Sequence, residues 1–191
     1  MALASLCFIL FSAFAGAALN EPKVLRTVKP LPVALDRDFE FRKARLYLLT
    51  EKPIELKREK TSKKVSKLDE MPSSRSTTVA QDASISFERS YRLFGAVTKL
   101  DQHQRFGNYF DFFWRARRPA DLTMRFEYRQ EKLHAHVQAQ EISYGNIRGN
   151  RKTEFKVVGD DYFDGGRVLA WRCLLIENGK VVAENRSFLW E

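Results

Sequence analysis

Large apolar residues alternate with polar ones along much of the C-terminal half of the chain. From Asp121 onward every second residue is large and apolar: Leu122, Met124, Phe126 and Tyr128. The same alternation recurs in three further runs, Phe110 to Trp114, Leu133 to Ala139 and Leu169 to Leu175. A period of two is typical of a strand with one buried face and one solvated face. The pattern therefore predicts an all-β fold.

Turn-forming residues separate these runs at intervals of roughly 8 to 12 residues, the spacing of a sandwich or a barrel. Arg118-Pro119 is expected to end one strand, and Asn178-Gly179 is a strong hairpin signal. Glycine-containing turn signals at 145–150 and 164–166 predict two longer loops, and a slip of the apolar set after Ala139 predicts a β-bulge near Gln140. These signals predict about seven strands, at 85–98, 106–117, 121–131, 133–144, 152–159, 167–177 and 180–190.

The number, length and spacing of these strands resemble an immunoglobulin-like antiparallel sandwich over residues 85–191. The final hairpin, Val168 to Trp190, looks like the last two strands of such a domain. The Cys-Trp-Cys constellation of antibody domains is absent, and Trp171 stands two residues before Cys173, where these domains often have Tyr. The pattern thus resembles a fibronectin type III-like or other disulfide-free sandwich. Segments 108–115 and 187–190 are also similar to a group of uncharacterised bacterial exported proteins, which implies no function.

The first 19 residues, Met1 to Leu19, carry no charged side chain. The apolar run Leu6 to Phe11, followed by small residues, is typical of a removable export signal. Because no Lys or Arg precedes this run, a retained membrane anchor and a buried helix stay open as alternatives, and about 18 apolar residues just span a bilayer. The expected location is periplasmic, extracellular or membrane-anchored.

The chain has only two cysteines, Cys7 and Cys173, which excludes a disulfide-stapled miniprotein and a cysteine-based zinc module. Removal of the signal would take Cys7 away and leave Cys173 without an intrachain partner. Cys173 lies in the apolar run Val168 to Ile176, so we expect a buried, inert thiol.

Residues 20–84 are predicted to be a basic extension, partly disordered. The chain carries 33 Lys and Arg against 24 Asp and Glu, a net charge of +9, and residues 20–80 hold 15 basic and 9 acidic side chains of this total. Lys, Glu and Ser alternate from Glu51 to Glu70, which is typical of a solvated linker. The short apolar clusters at 39–41 and 46–49 could add an edge strand or a short helix.

The sequence offers no recognisable reactive centre. His134 and His136 lie two apart on one strand face, which is too few ligands for a metal site. Asp160 to Gly165 resembles a calcium loop superficially, but Tyr162 and Trp171 occupy positions where ligands are needed, so a solvated turn is expected. Neither a nucleophile elbow nor a glycine-rich phosphate loop occurs. We therefore predict no catalytic residue, no metal site and no cofactor, and expect that the chain is not an enzyme.

Four side chains are the candidate partner surface. Arg125 and Arg129 belong to an ordered array of charges on one strand, which cross-strand pairing would also explain. Tyr109 and Phe113 point away from Phe110, Phe112 and Trp114, so they either form an exposed interface or pack under the N-terminal extension.

The predicted function is that of an exported or envelope-associated, non-catalytic binding or structural module. The expected partner is an envelope protein or an anionic surface, and residues 1–19 add membrane contact only in the alternative in which they stay attached as an anchor. Nucleic acid is not expected, because acidic residues interrupt the basic run and no aromatic residue lies near it. Two alternatives stay open. One is an envelope hydrolase with dispersed acidic residues, and the other is an accessory subunit of a membrane complex.

Overall fold

The structure, a computed structural model, describes residues 21–25, 27–51 and 75–190, with side chains described from residue 84 in the last range. The predicted signal at 1–19 and all but Glu51 of the linker Glu51 to Glu70 lie outside the described residues. The described part is mostly antiparallel β-sheet, with six strands: β1 Lys23–Leu25, β2 Phe39–Leu49, β3 Gly107–Gln130, β4 Val137–Val158, β5 Val168–Glu177 and β6 Lys180–Arg186. The helices are α1 Arg75–Leu93, α2 Lys99–His103, a 3-10 helix at Glu131–Leu133, and α3 Asp160–Gly165.

The long strand β3 is the centre of the sheet. One of its edges pairs with β4 along nearly its whole length, from Gly107 opposite Val158 to Arg129 opposite Val137. Its other edge is shared: β2 pairs with residues 107–116 and β5 pairs with residues 123–130. Strand β6 pairs with the other edge of β5, and β1 pairs with the outer edge of β4. The first half of β3 therefore lies between β4 and β2, and the second half lies between β4 and β5.

Strand β3 bends back on itself. Phe110 and Phe126 would be roughly 50 Å apart in a straight strand, yet their ring centroids are 4.6 Å apart. The β3–β4 register shifts between Ala116 and Leu122, which places the bend there. The bent sheet encloses one large apolar core that includes Phe110, Phe112, Trp114, Phe126, Phe155 and Trp171, all buried. The apolar side chains of the alternating sequence pattern thus fill the space between the two halves of the sheet.

The final hairpin agrees closely with the sequence prediction. Strands β5 and β6 occupy the predicted ranges, except that β6 ends at Arg186. Asn178 and Gly179 join them with φ angles of 49° and 74°, the left-handed region that a tight two-residue hairpin turn requires.

Three boundaries differ from the prediction. The prediction of a strand at 85–98 is wrong, because residues 75–93 form α1, and Gly95, at φ 80°, follows the helix. Arg118-Pro119 does not end a strand: Pro119 lies where the β3–β4 register is irregular, a position that tolerates a residue without a backbone donor. The predicted loop at 145–150 is likewise part of β4.

The turn between β3 and β4 also differs. Strand β4 begins at Val137 and not at residue 133, because the 3-10 helix and a turn with His134 at φ 50° occupy residues 131–136. His134 and His136 therefore precede the strand. No bulge occurs at Gln140, which pairs in register with Phe126 and donates through its side-chain amide to the carbonyl oxygen of Lys156 at 3.0 Å.

Strand β2 lies in the range predicted as a basic extension. The sequence left open whether the apolar clusters at 39–41 and 46–49 form an edge strand or a short helix, and both clusters lie in this strand of 11 residues. Residues 32–36 precede it and exchange backbone hydrogen bonds with Val181 and Val182 of β6. The sheet thus includes residues on both sides of the predicted boundary at 84 and 85.

Cys173 lies in the core, as predicted. Its side chain is fully buried, and burial raises the pKa of the thiol well above its usual value. Because the thiolate is the reactive form, we expect the native protein to resist labelling of Cys173 by a thiol reagent at mildly alkaline pH. In denaturant the same cysteine is expected to react completely. Peptide-level mass spectrometry checks both, and rapid labelling of the native chain would contradict the packing.

Among the helices of the described ranges, none combines the length and the apolar character needed to cross a bilayer.

Candidate functional site

The outer face of the first half of β3 carries an alternating set of aromatic and charged residues. Because Phe110, Phe112 and Trp114 point into the core, Tyr109, Asp111, Phe113 and Arg115 point to the opposite side. The ladder places Lys43 of β2 and Lys152 of β4 directly beside Phe113. Three strands far apart in the sequence therefore contribute to one surface around this ring.

Two cations lie near the ring of Phe113, which is half-buried. The Arg45 guanidinium lies 5.4 Å from the ring centroid, and the Lys152 ammonium group lies 5.9 Å from it. We call this surface the basic face and define it by Phe113 and six basic residues: Lys43, Arg45, Arg115 and Lys152, together with Arg42 and Arg151, which line a depression beside the ring. Except for the half-buried Arg115, these basic residues are exposed.

A β-bulge and a shallow pocket shape the basic face. The β2–β3 register shifts between Phe41 and Lys43, so Arg42 is an additional residue with no partner in the ladder. A bulge of this kind changes the direction of a side chain. A depression of about 310 Å³ lies there, lined by Arg42, Phe113, Trp114, Asn150 and Arg151. Two arginines and two aromatic residues thus line the depression, a combination of residue types suited to a small anionic group.

Acidic side chains neutralise part of the basic face. A carboxylate oxygen of Asp111 lies 3.0 Å from the Lys152 ammonium group, and Glu40 lies 3.6 Å from the Arg42 guanidinium. Counting six basic and these two acidic residues leaves a net charge of +4. Such a cluster attracts anions over roughly one Debye length, about 8 Å at physiological salt.

Helix α1 covers the neighbouring part of the same outer face. Tyr109 is buried beneath it, and its hydroxyl donates to the backbone oxygen of Arg105 at 2.6 Å. Arg92 of α1 lies over two tyrosine rings, 4.0 Å from the centroid of Tyr109 and 5.4 Å from that of Tyr47. Burial raises the pKa of both tyrosines, so they stay neutral in this position.

Polar contacts hold much of α1 in place. Arg89 donates to the backbone oxygens of Thr50 and Glu51 at 2.7 and 3.0 Å, and Arg92 donates to the Glu154 carboxylate at 3.0 Å. Leu93 supplies apolar contact with the small cluster around Leu49 and Tyr109. Arginines and one leucine thus occupy the side of the helix that faces the sheet.

The opposite side of α1 is apolar and exposed. Phe87 and Tyr91 are each 68% exposed, and Phe94, which follows the last helical residue, is 83% exposed. Val97 and Leu100, which follow along the chain, are 87% and 67% exposed. We call these five residues the apolar ridge. Several large apolar side chains exposed within one short segment are typical of an interaction surface.

The structure divides the four predicted surface residues among different environments. Tyr109 is buried by packing within the chain, and Phe113 is the centre of the basic face. Arg125 and Arg129 lie on the second half of β3, on a different face. Arg125 donates to Glu141 at 2.5 Å, and the guanidinium of Arg129 lies 4.8 Å from the centroid of Trp190. These two arginines are therefore engaged by cross-strand and aromatic contacts.

The other sequence motifs take structural roles. Asp160 to Gly165 forms α3, which connects β4 to β5, and His103 stacks on Phe163 of this helix with ring centroids 4.0 Å apart. Over the described ranges, no group of three or more His, Cys, Asp or Glu side chains is arranged to hold a metal ion.

Sequence reasoning missed the apolar ridge, although the spacing of Phe87, Tyr91 and Phe94 contains a signal for it. Intervals of four and three residues place side chains on one side of a helix. The residues of the basic face gave no local signal, because they lie on β2, β3 and β4, which are far apart in the sequence.

Comparisons of the chain with family models, with curated proteins and with solved structures find no match.

Proposed function

We propose that this chain is an exported, non-catalytic binding module that holds an anionic surface of the cell envelope. The basic face is the observation that carries this proposal. Two cations lie within 6 Å of the centroid of one half-buried aromatic ring, Arg45 at 5.4 Å and Lys152 at 5.9 Å, and the six basic residues of this face with Asp111 and Glu40 give a net charge of +4. The basic residues come from three paired strands, and two of the arginines line a pocket beside the ring.

The physical basis of the proposed binding is the attraction between fixed cations and a dense array of anions. Each Lys or Arg close to an anionic surface contributes about 1 kcal/mol at physiological salt. The strands hold these cations in a fixed arrangement, so little backbone order is lost on binding. Since the contacts are solvent-exposed, salt is expected to weaken them strongly.

The proposed fold family follows from the same strand arrangement. An immunoglobulin-like or fibronectin type III-like sandwich would bury alternate side chains of two packed layers. Support comes from the core enclosed by the bent β3, in which Phe112 lies 5.3 Å from Trp171 and 5.7 Å from Phe126. Such a framework would present the basic face as a rigid surface.

Neutralising two cations of the basic face is the direct test. We expect Lys43→Gln combined with Arg45→Gln to weaken binding to vesicles containing about one third anionic lipid. Two lost cations at about 1 kcal/mol each correspond to roughly 30-fold in affinity. Binding is measured by co-sedimentation at two salt concentrations, with dextran sulfate as a soluble polyanion and neutral vesicles for comparison.

A matched control removes the same charge elsewhere. Lys180 and Arg186 are exposed on β6, outside the basic face. Lys180→Gln combined with Arg186→Gln is expected to keep most of the affinity. Equal losses in both double variants would show that only net charge matters, and a parent protein that binds neither anionic vesicles nor dextran sulfate would refute the proposed function.

A further inference from the structure

We propose that the anionic surface is a lipid bilayer, and that the apolar ridge inserts into the boundary between its headgroups and its acyl chains. This inference rests on the proposed function and specifies the partner. It starts from the orientation of α1, whose aromatic side chains point to solvent while Arg89 and Arg92 face the sheet. The ridge is thus available to a partner without any rearrangement of the described fold.

The chemistry of the ridge suits a membrane interface. Aromatic and aliphatic side chains on one side of a helix bury well at the depth where headgroups meet acyl chains. The stacked rings of Phe87 and Tyr91 lie 6.3 Å apart, and Phe94, Val97 and Leu100, which follow them along the chain, are exposed as well. Lys99 is exposed between Val97 and Leu100, where its ammonium group can reach lipid phosphates while its stem lies in apolar surroundings.

The basic face and the ridge lie on the same side of the molecule. Tyr109, under α1, and Phe113, at the centre of the basic face, are four residues apart on one side of β3, which corresponds to about 13 Å. One approaching surface can therefore meet both features. A bilayer with anionic lipids supplies phosphates for the cations and an apolar layer for the ridge, whereas a soluble polyanion supplies only the first.

Charge also argues against a second copy of this chain as the occupant. In a symmetric contact between two ridges, each copy would also turn its basic face, of net charge +4, towards the other copy. Like charges at such a contact repel, and the segment that carries the ridge is itself basic: residues 84–105 contain four basic and two acidic side chains. An anionic bilayer complements this charge.

The test separates the ridge from the basic face. The protein is purified in its mature form, with its N-terminus defined by mass spectrometry. Phe87→Ser combined with Phe94→Ser is expected to weaken binding to anionic vesicles by roughly tenfold or more, because two aromatic rings lose their apolar environment. Binding to dextran sulfate is expected to stay within about twofold of the parent, since the six cations remain.

Two further variants keep the test interpretable. Phe188 and Leu189 are 99% and 62% exposed and lie outside the ridge, so Phe188→Ser with Leu189→Ser is the matched control and should keep vesicle binding. If the first variant unfolds, Val97→Ser with Leu100→Ser removes ridge residues outside α1. Hydrogen exchange adds a direct readout: anionic vesicles should slow exchange in residues 84–100 and leave β6 unchanged.

Each outcome decides between the two proposals. Loss of vesicle binding with retained dextran sulfate binding supports insertion of the ridge. A parent protein that binds dextran sulfate but not vesicles overturns the bilayer proposal and leaves the proposed function standing, as does vesicle binding unaffected by both ridge variants. A dimer that the ridge substitutions dissociate would assign the ridge to a second copy. Binding to neither probe would overturn both proposals.

Discussion

Replacing Phe126 by alanine is expected to lower the free energy of unfolding by about 4 kcal/mol. The ring is fully buried at the centre of the core, with ring centroids of Phe110, Phe155 and Tyr128 at 4.6, 5.1 and 5.2 Å. The substitution removes these contacts and leaves a cavity that a bent sheet fixed by three ladders can fill only in part. Substitutions of this type cost about 3 to 5 kcal/mol.

A second phenylalanine provides the control for this prediction. Phe188 is 99% exposed, so Phe188→Ala is expected to change stability by no more than about 0.5 kcal/mol. Urea unfolding followed by circular dichroism measures both variants. A loss below about 1 kcal/mol for Phe126→Ala would show that the two halves of β3 do not enclose a common core.

The second large effect is expected for Gly107→Ala, with a loss of about 3 kcal/mol or more. Gly107 is the first residue of β3 and has a φ angle of 145°, where residues with a side chain are strained. A Cβ atom there would lie 2.1 Å from the backbone oxygen of Val157 and 2.8 Å from the Cα of Val158. Because both atoms belong to the backbone of β4, relief of the clash would require the strands to separate.

Gly149→Ala distinguishes the clash from the backbone conformation. Gly149 also has a positive φ angle, 94°, but no described heavy atom lies within 4 Å of the position its Cβ would take. We expect a loss of about 1 kcal/mol from conformational strain alone. Thermal unfolding of both variants gives the comparison, and equal melting temperatures would refute the close approach of β3 and β4 at Gly107.

Local sequence signals were sufficient for the β-rich class and the final hairpin. Alternation identifies a strand when one face is buried, as in the run from Leu122 to Tyr128, and Asn178-Gly179 supplies the backbone angles of a tight turn. Both signals depend on neighbours within a few residues. The prediction of a buried Cys173 was confirmed for the same reason, since its whole surrounding run is apolar.

Features set by distant parts of the chain were not predictable in this way. Pro119 suggested a break because proline cannot donate to a ladder, but whether its neighbours need that donor depends on the irregular register with β4. The prediction of a strand at 85–98 was wrong, and the helical spacing from Phe87 to Phe94 describes the structure. Competing periods over so few residues do not decide between helix and strand.

The candidate site was predictable only at its centre. The alternation around Phe110 correctly placed Phe113 on the side away from the core, where its ring is partly exposed. Its cationic neighbours Lys43 and Lys152 precede and follow it by 70 and 39 positions, and only the paired strands bring them together. The same alternation did not show that α1 covers Tyr109, because that contact depends on the position of a distant helix.

The sharing of β3 among three ladders restricts how the length of this chain can vary. An inserted or deleted residue within 107–116 would turn the following side chains to the opposite side and displace them relative to both β2 and β4. The same change within 123–129 would misalign β4 and β5 together. Segment 117–121, where the pairing is already uneven, is the part of this strand that can absorb a change of length. Variation by insertion is thus confined to the bend, while the residues on either side can vary only by substitution.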